Sequence, residues 1–326
     1  MSLSRRGLLG LAIALPAAAA RAAQMPQVPR MPLIMATGRA GTSYARYGTA
    51  WGRVARAAGL NIAFQASGGA VTNILLIERN AAQLGMATAL IAAEARQGRG
   101  HWTAGVKFDA FRVLFPMFTS ALQIVSPRRT GITTITQLAG RRIGLGAPGD
   151  TGSAAVPPIL ASLGLTGHFI ATGTFESGLR QMAAGHLDAC AFISAAPLPS
   201  IAAAATRQEF TLIGLTPAQI DQIEQAIPGM RGMVLPAGLF PGQGLPVATI
   251  GTEDLAICAA SLPDDVARDV TLAALRHRQM LATIVPAASA TPQLQPVIEA
   301  GLPFHPGAAS ALRSLGYDLP TRAIER

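Results

Sequence analysis

The sequence predicts an α/β protein of two similar lobes around a cleft, and three observations support this. A short apolar run, Leu33–Ala36, precedes a glycine-punctuated turn at 37–43 and then apolar residues at helical spacing. Residues 141–153 repeat this order of strand, small polar turn and helix. Residues 65–88 and 172–194 also share a plan of strand end, polar turn, helix, tight loop and buried strand. Since ligands of open α/β sheets lie outside the carboxyl ends of strands, both lobes would face one cleft.

The turn that ends at Ser43 is predicted to form one wall of that cleft. The helix after it would present unpaired N–H groups and a positive dipole end, which together favour an anion. The hydroxyls of Thr42 and Ser43 would add donors, and the Arg39 guanidinium could pair with a ligand carboxylate through two hydrogen bonds. The alternatives are hydroxyls that only cap the helix and an Arg39 solvated on the rim. Tyr44 either contacts the ligand or packs at the helix start.

The first half of the chain is predicted to continue as alternating strands and helices. Strands are expected at 61–65 and 84–87, each followed by a helix, which implies a parallel sheet covered on both faces. Two apolar runs at 111–119 and 122–126 are predicted to cross from one lobe to the other.

The second half is predicted to begin with the turn at 146–153 and a helix that starts late. Pro157 and Pro158 fit only in a first helical turn, so they should mark that start. Further elements are predicted as a short helix at 135–140, strands at 169–173, 187–193 and 255–260, and helices at 176–184, 263–284 and 308–315.

The N-terminus has the pattern of an export signal. Arg5 and Arg6 precede an apolar run, and a small-residue cleavage site lies near Ala22, so residues 1–23 are predicted to be removed. Twin-arginine and Sec export both remain open. Hydrophobic residues make up 50% of the chain, but beyond this segment no uninterrupted apolar run reaches the roughly 20 residues of a membrane helix. We therefore expect a soluble mature chain in the periplasm.

Charge and motif content argue against several other functions. The formal charge of +9 comes largely from scattered arginines with few aromatic residues, which does not indicate nucleic-acid binding. None of the five histidines has metal-ligand spacing, and no nucleophile stands beside a base, so no metal, no cofactor and no enzymatic activity are expected. Cys190 and Cys258 lie in apolar runs, which favours two free buried thiols over a disulfide.

Six segments resemble the TAXI family of solute receptors for TRAP transporters. They are TGRAGTSYARYG (37–48), ASGGAVTN (66–73), LAGRRIGLGAPGDTGS (138–153), GHLDACAFISAAPLP (185–199), VLPAGLFPGQ (234–243) and LPFHPGAASALRSLGY (302–317). The resemblance implies a type II periplasmic-binding-protein fold, with two α/β lobes around a central cleft and two crossover connections. Lobe I would hold residues 24–121 and 246–326, and lobe II residues 122–245. A monomer would capture a small carboxylate, such as glutamate or 2-oxoglutarate, and pass it to TRAP permease subunits driven by an ion gradient.

The resemblance also implies a set of ligand-binding residues. By position they are Gly41, Thr42, Ser43, Tyr44, Ser67, Gly68, Asn73, Thr151, Gly152, Ser153 and Ser194. Three departures from the family concern the ligand: Arg39 replaces a smaller residue, Thr88–Leu90 replaces a polar trio, and the turn at 149–153 is one residue longer. Thr88 is kept as a candidate ligand contact, and Asp150 would repel a carboxylate if it faced inward. A sensory binding protein and an exported enzyme are the alternatives to a transport receptor.

Overall fold

The computed structural model describes residues 31–290 and 292–324, so the predicted export signal and its cleavage point lie outside the described residues. The strands are β1 Leu33–Ala36, β2 Ile62–Gln65, β3 Leu84–Thr88, β4 Phe111–Pro127, β5 Arg142–Leu145, β6 His168–Ala171, β7 Ala189–Ala195, β8 Phe210–Ile213, β9 Arg231–Leu235 and β10 Val247–Ala259. The helices are α1 Ser43–Ala57, α2 Ala70–Glu78, α3 Ala89–Gln97, α4 Thr151–Ser162, α5 Phe175–Ala183, α6 Pro199–Ala205, α7 Pro217–Ala226, α8 Asp264–Arg276, α9 Arg278–Ile284, α10 Gln295–Glu299 and α11 Pro306–Ser314.

The strands form a mixed sheet in the order β2-β1-β3-β10-β4-β7-β5-β6, with β8 paired to β4 and β9 to β10. Strand β1 is parallel to β2 and β3, and β5 is parallel to β6 and β7. The central strands β4 and β10 are antiparallel to each other and to their other partners. The parallel sheet predicted for the first half of the chain is confirmed for β1, β2 and β3. The antiparallel centre lies outside that prediction, because antiparallel strands need no helical crossover and the βαβ pattern does not describe them.

The two central strands are longer than the sequence suggests. The apolar runs at 111–119 and 122–126 are one strand, β4, since Ser120 and Ala121 continue the extended chain between them. The predicted strand at 255–260 is likewise the second half of β10. Ala121 lies opposite Gly251, and the pairing shifts register on each side of the pair Leu255–Ala256. Together β4 and β10 form an antiparallel pair that runs through the middle of the sheet.

Buried apolar side chains form three clusters. The largest draws mainly on residues 35–118 and 255–323, and the other two draw mainly on residues 122–250. Trp51 anchors the first cluster through an edge-to-face contact with Phe115 and a hydrogen bond from its ring N–H to the Val270 carbonyl. The lobe boundaries at 121/122 and 245/246 stay a prediction.

Two helix predictions are corrected by the structure. Helix α4 begins at Thr151 because Asp150 caps it, so Pro157 and Pro158 lie inside the helix and each removes a helical N–H donor. The predicted long helix at 263–284 is two helices, α8 and α9, divided at His277, whose backbone leaves the helical conformation. Elements α6, β8, α7 and β9 were not predicted.

Cys190 and Cys258 are both buried and unpaired, as the sequence favours. Burial raises the pKa of the Cys190 thiol to about 12 and that of Cys258 further. Within the described residues, no helix is both long enough and apolar enough to cross a membrane.

Candidate functional site

A cavity of about 50 Å³ lies where helices α1, α2, α4 and α5 begin. Its lining residues are Gly38, Arg39, Ala40, Gly41, Thr42, Ser43, Tyr44, Gly68, Gly69, Ala70, Ser120, Ala147, Asp150, Thr151, Gly173, Thr174, Phe175, Glu176, Ile193, Ser194 and Asp254. Strands β4, β7 and β10 supply the remaining wall. The other lining residues follow the carboxyl ends of β1, β2, β5 and β6, where the fold prediction places the cleft.

The four helix starts all present backbone N–H groups near the cavity. Side-chain caps accept the third helical N–H in three of them: Thr42 from Ala45 at 3.2 Å, Asp150 from Ser153 at 2.7 Å and Thr174 from Ser177 at 3.0 Å. Helix α2 begins after glycine, without a side-chain cap. The first N–H groups of each helix have no partner within their own helix, and each dipole places about half a positive charge there. The cavity is therefore suited to an anion.

The opposite wall carries a buried carboxyl group. Asp254 is 1% exposed, and its Oδ1 accepts a 2.6 Å hydrogen bond from the Tyr44 hydroxyl. Its other oxygen, Oδ2, is buried and has no hydrogen-bond partner among the described residues. Burial raises the pKa of Asp254 to about 8, an effect that the Ser120 and Tyr44 hydroxyls oppose and neighbouring Glu253 strengthens.

Two further carboxyl groups reach the cavity. Asp150 accepts hydrogen bonds from the Ala147 and Ser153 N–H groups, each at 2.7 Å, so its oxygens are used to hold the turn. Burial raises the pKa of Asp150 to about 6 against these bonds and the nearby Arg39 charge. Glu176, the first-turn acid of α5, stands close to the first turn, since a Cβ added at Gly41 would lie 3.3 Å from its Oε1.

Contacts between the helix starts close the cavity. The hydroxyls of Ser43 and Ser194 are 3.0 Å apart and join α1 to β7. The turn before α2 also touches the turn before α4, where the Val71 N–H donates to the Gly149 carbonyl at 3.1 Å. Gly69 has a φ of 128°, and a Cβ there would lie 2.9 Å from the Asp150 Cα. Only glycine permits both that conformation and that approach.

The structure brings most of the predicted site residues to one cavity. The lining includes Arg39, Gly41, Thr42, Ser43, Tyr44, Gly68, Thr151 and Ser194. Arg39 is exposed at the rim, which is the position of the solvated alternative.

Five predicted residues do not line the cavity, and four of them hold the local structure. Ser67 lies within hydrogen-bond distance of Thr37 and Asn73, and the Asn73 amide donates to the Thr37 and Met86 carbonyls. Thr88 caps α3, and the Ser153 hydroxyl donates to the Asp150 carbonyl. Gly152 is in the first turn of α4.

Sequence reasoning missed Asp254, Ser120 and Phe175 as lining residues. Asp254 and Ser120 come from the central strands, and Tyr44 is 210 residues away from its partner Asp254. A charged residue inside the apolar run "EDLAICA" was the one available signal, because such a position is rarely buried without a role.

The residues that line the cavity are mainly small, polar or acidic. The lining residues named above include no histidine, cysteine or lysine. Across residues 31–290 and 292–324, no group of three or more His, Cys, Asp or Glu residues is arranged to hold a metal ion.

Comparisons with known proteins place the fold. A model of the NMT1-like family matches residues 35–316. The ligand-binding core of GluR0 from Nostoc punctiforme, solved with L-glutamate, is similar with a TM-score of 0.51 and 17% identity, over 78% of this chain and 99% of that one. A structure described as a periplasmic transporter gives 0.53 and 13%, over 89% and 98% of the two chains. A protein from Bordetella bronchiseptica RB50 gives 0.52 and 17%, over 90% and 91%. The predicted α/β fold of two-lobe periplasmic binding proteins is thereby confirmed.

Proposed function

This chain belongs to the NMT1-like family, and we propose that it is an extracytoplasmic solute-binding receptor for a small carboxylate. The observation that carries this proposal is the convergence of four helix starts on one cavity. A single helix start binds anions weakly, but four around one cavity place N–H donors on several sides of a carboxylate. The Ser43 and Thr151 side chains also line the cavity and add hydroxyl donors.

Hinge closure would couple binding to recognition. Contributions to the cavity come from α1 and α2 on one side and α4, α5 and β7 on the other, and we assign these to lobe I and lobe II respectively. A ligand that bridges both sides favours the closed state through contacts that the open state lacks. The hinge would lie in β4 near 122–126 and in β10 near 247–257, where the chain passes between the lobes twice.

Location and partner are part of the same proposal. The predicted export signal at 1–23 supports a periplasmic, monomeric receptor that hands its solute to TRAP permease subunits, a partnership that rests on the sequence resemblance. Uptake of the ligand should be measured in cells that produce a TRAP permease of this class, with and without the receptor. Uptake that needs both the receptor and an ion gradient is expected, whereas a receptor that leaves uptake unchanged would favour the sensory alternative.

A thermal-shift screen tests the carboxylate assignment. The purified protein is heated with small carboxylates, amino acids and neutral sugars, and a ligand present at 100 times its Kd stabilises the fold by about 2.7 kcal/mol. We expect clear shifts with carboxylates. Shifts confined to neutral or apolar solutes would contradict the assignment.

Variants locate the binding in the cavity. Arg39→Ala should weaken affinity by up to about fivefold, because an exposed ion pair contributes at most ~1 kcal/mol. Thr42→Ala removes a helix cap and should weaken binding further, with each variant compared to its own ligand-free melting temperature. Arg53→Ala is the matched control, since Arg53 is exposed on α1 and does not line the cavity. Equal affinities in Arg39→Ala, Thr42→Ala and the control would move the site elsewhere.

A further inference from the structure

Only one of the two Asp254 carboxyl oxygens has a hydrogen-bond partner among the described residues. It lies in the middle of β10, opposite Thr88 of β3 and Phe118 of β4, and is 1% exposed. The Tyr44 hydroxyl occupies Oδ1, whereas Oδ2 is buried without a hydrogen bond and the residue lines the cavity. A buried acceptor without a donor is costly, and such groups in native proteins generally have an explanation.

The other side of the cavity offers hydrogen-bond donors instead of an unpaired acceptor. The helix starts offer N–H donors, and Arg39 stands at the rim, so this side accepts negative charge. A ligand with carboxylates alone would use these donors and leave Oδ2 without a partner. It would also place like charge near Asp254 and Glu176, both of which line the same space. With Asp254 ionised, one ligand satisfies both walls only if it has an anionic end and a donor end.

We propose that the ligand is a zwitterion, whose carboxylate binds at the helix starts and whose ammonium donates a hydrogen bond to Asp254 Oδ2. The inference rests on the proposed function and names the ligand class of that same site. Asp254 is then a residue that determines specificity, because it separates amino acids from the oxo and hydroxy acids of the same carbon skeleton. Tyr44 positions the carboxyl group by holding Oδ1.

Protonation gives this proposal a second consequence. The groups that act on Asp254 are Tyr44 from α1, Ser120 from β4 and its neighbour Glu253, and burial raises its pKa to about 8. In the ligand-free protein the Asp254 carboxyl group is therefore mainly protonated at pH 7. An adjacent ammonium favours the ionised carboxylate, so binding a zwitterion should release a proton to the solvent.

Matched ligand pairs test the proposal in the wild-type protein. Calorimetric titrations compare alanine with pyruvate, valine with 3-methyl-2-oxobutanoate, and glutamate with 2-oxoglutarate. In the pair whose size fits, we expect the amino acid to bind at least about tenfold more tightly, the gain of one charge-assisted hydrogen bond. Titrations at pH 7 in two buffers of different ionisation enthalpy should show proton release. An oxo acid that binds as tightly as its amino partner would overturn the proposal, since a protonated Asp254 would then be the donor.

Asp254→Asn, a substitution of equal size, is expected to reverse the order of affinities, so that the oxo acid binds more tightly than the amino acid. In Asp254→Asn, the Tyr44 hydroxyl still requires an acceptor, so the new N–H₂ group takes the position of Oδ2. This donor should favour the oxo acid, and the tenfold preference should fall below one. Asp221→Asn is the control, because Asp221 is exposed on α7 and outside the cavity. An unchanged preference in Asp254→Asn would overturn the proposal.

Different results would contradict the zwitterion proposal and the proposed function. If oxo acids bind and amino acids do not, the zwitterion is excluded and the carboxylate receptor stands. If neither series binds, the proposed function fails and this inference fails with it. Should Asp254→Asn not fold, the ligand pairs and the proton release of the wild-type protein still decide the matter.

Discussion

The role of Asp254 cannot be read from the residues next to it in the sequence. Its neighbours Leu255–Ala259 form a buried strand, and nothing within a few positions supplies a partner for its charge. The partner, Tyr44, is set by the fold and by the pairing of β10 with β3 and β4. The first turn was predictable, because Arg39, Thr42 and Ser43 follow a strand in sequence and the helix period begins directly after them.

The raised pKa of Asp254 predicts how stability changes with pH. Protonation stabilises the folded state fully below the usual value near 4, and this contribution is lost as the pH rises through about 8. Between pH 6 and pH 8 the ligand-free protein should lose about 2–3 kcal/mol of unfolding free energy to this group, at up to ~1.4 kcal/mol per pH unit. Urea unfolding at both pH values measures the loss.

Asp254→Asn provides the comparison for that prediction. The amide does not titrate, so the variant should be less sensitive to pH by the same 2–3 kcal/mol. Glu253, whose pKa burial raises to about 7, changes stability in the same direction in both proteins. Equal losses in the two proteins would show that Asp254 titrates alike in the folded and unfolded states.

At the scale of the elements, capped helix starts define the site. Thr42, Asp150 and Thr174 each precede a helix that begins at the cavity. Capping residues are readable from sequence, and the match between the turns at 37–43 and 146–153 was visible there. Pro157 and Pro158 favour a later start of α4, but the Asp150 cap sets the start at Thr151. The packed helix tolerates two prolines at the loss of two hydrogen bonds.

The contact between the turns of α2 and α4 yields a prediction about closure. Gly69→Ala introduces a Cβ 2.9 Å from the Asp150 Cα, so the two turns must separate. Ligand affinity should fall at least tenfold, because the two turns touch beside the cavity and their separation would open it. Isothermal titration with the best ligand of the thermal-shift screen measures this.

Gly59→Ala separates closure from backbone strain. Gly59 also has a positive φ, at 90°, but a Cβ there meets nothing within 4 Å. This control should lose about 1 kcal/mol of stability from its backbone conformation and keep its affinity. If both variants bind the ligand equally well, the approach of the two turns is not needed for binding.

At the scale of the whole molecule, the sequence reveals the repeated units better than the way they are joined. The order of strand, turn and helix in each half was predictable because periodicity and turn residues are local signals. The antiparallel centre was not, because β4 and β10 are separated by more than a hundred residues and their pairing is a long-range choice. No element is predicted from the sequence between 199 and 233, where the structure has α6, β8, α7 and most of β9.

The measurement that tests the central claim most directly is a crystal structure of the protein with the carboxylate that gives the largest thermal shift. The account predicts density in the cavity, with the ligand carboxylate within about 3 Å of the first N–H groups of α1, α2, α4 or α5. A ligand bound outside this cavity, or one that turns its apolar end toward the helix starts, would contradict it.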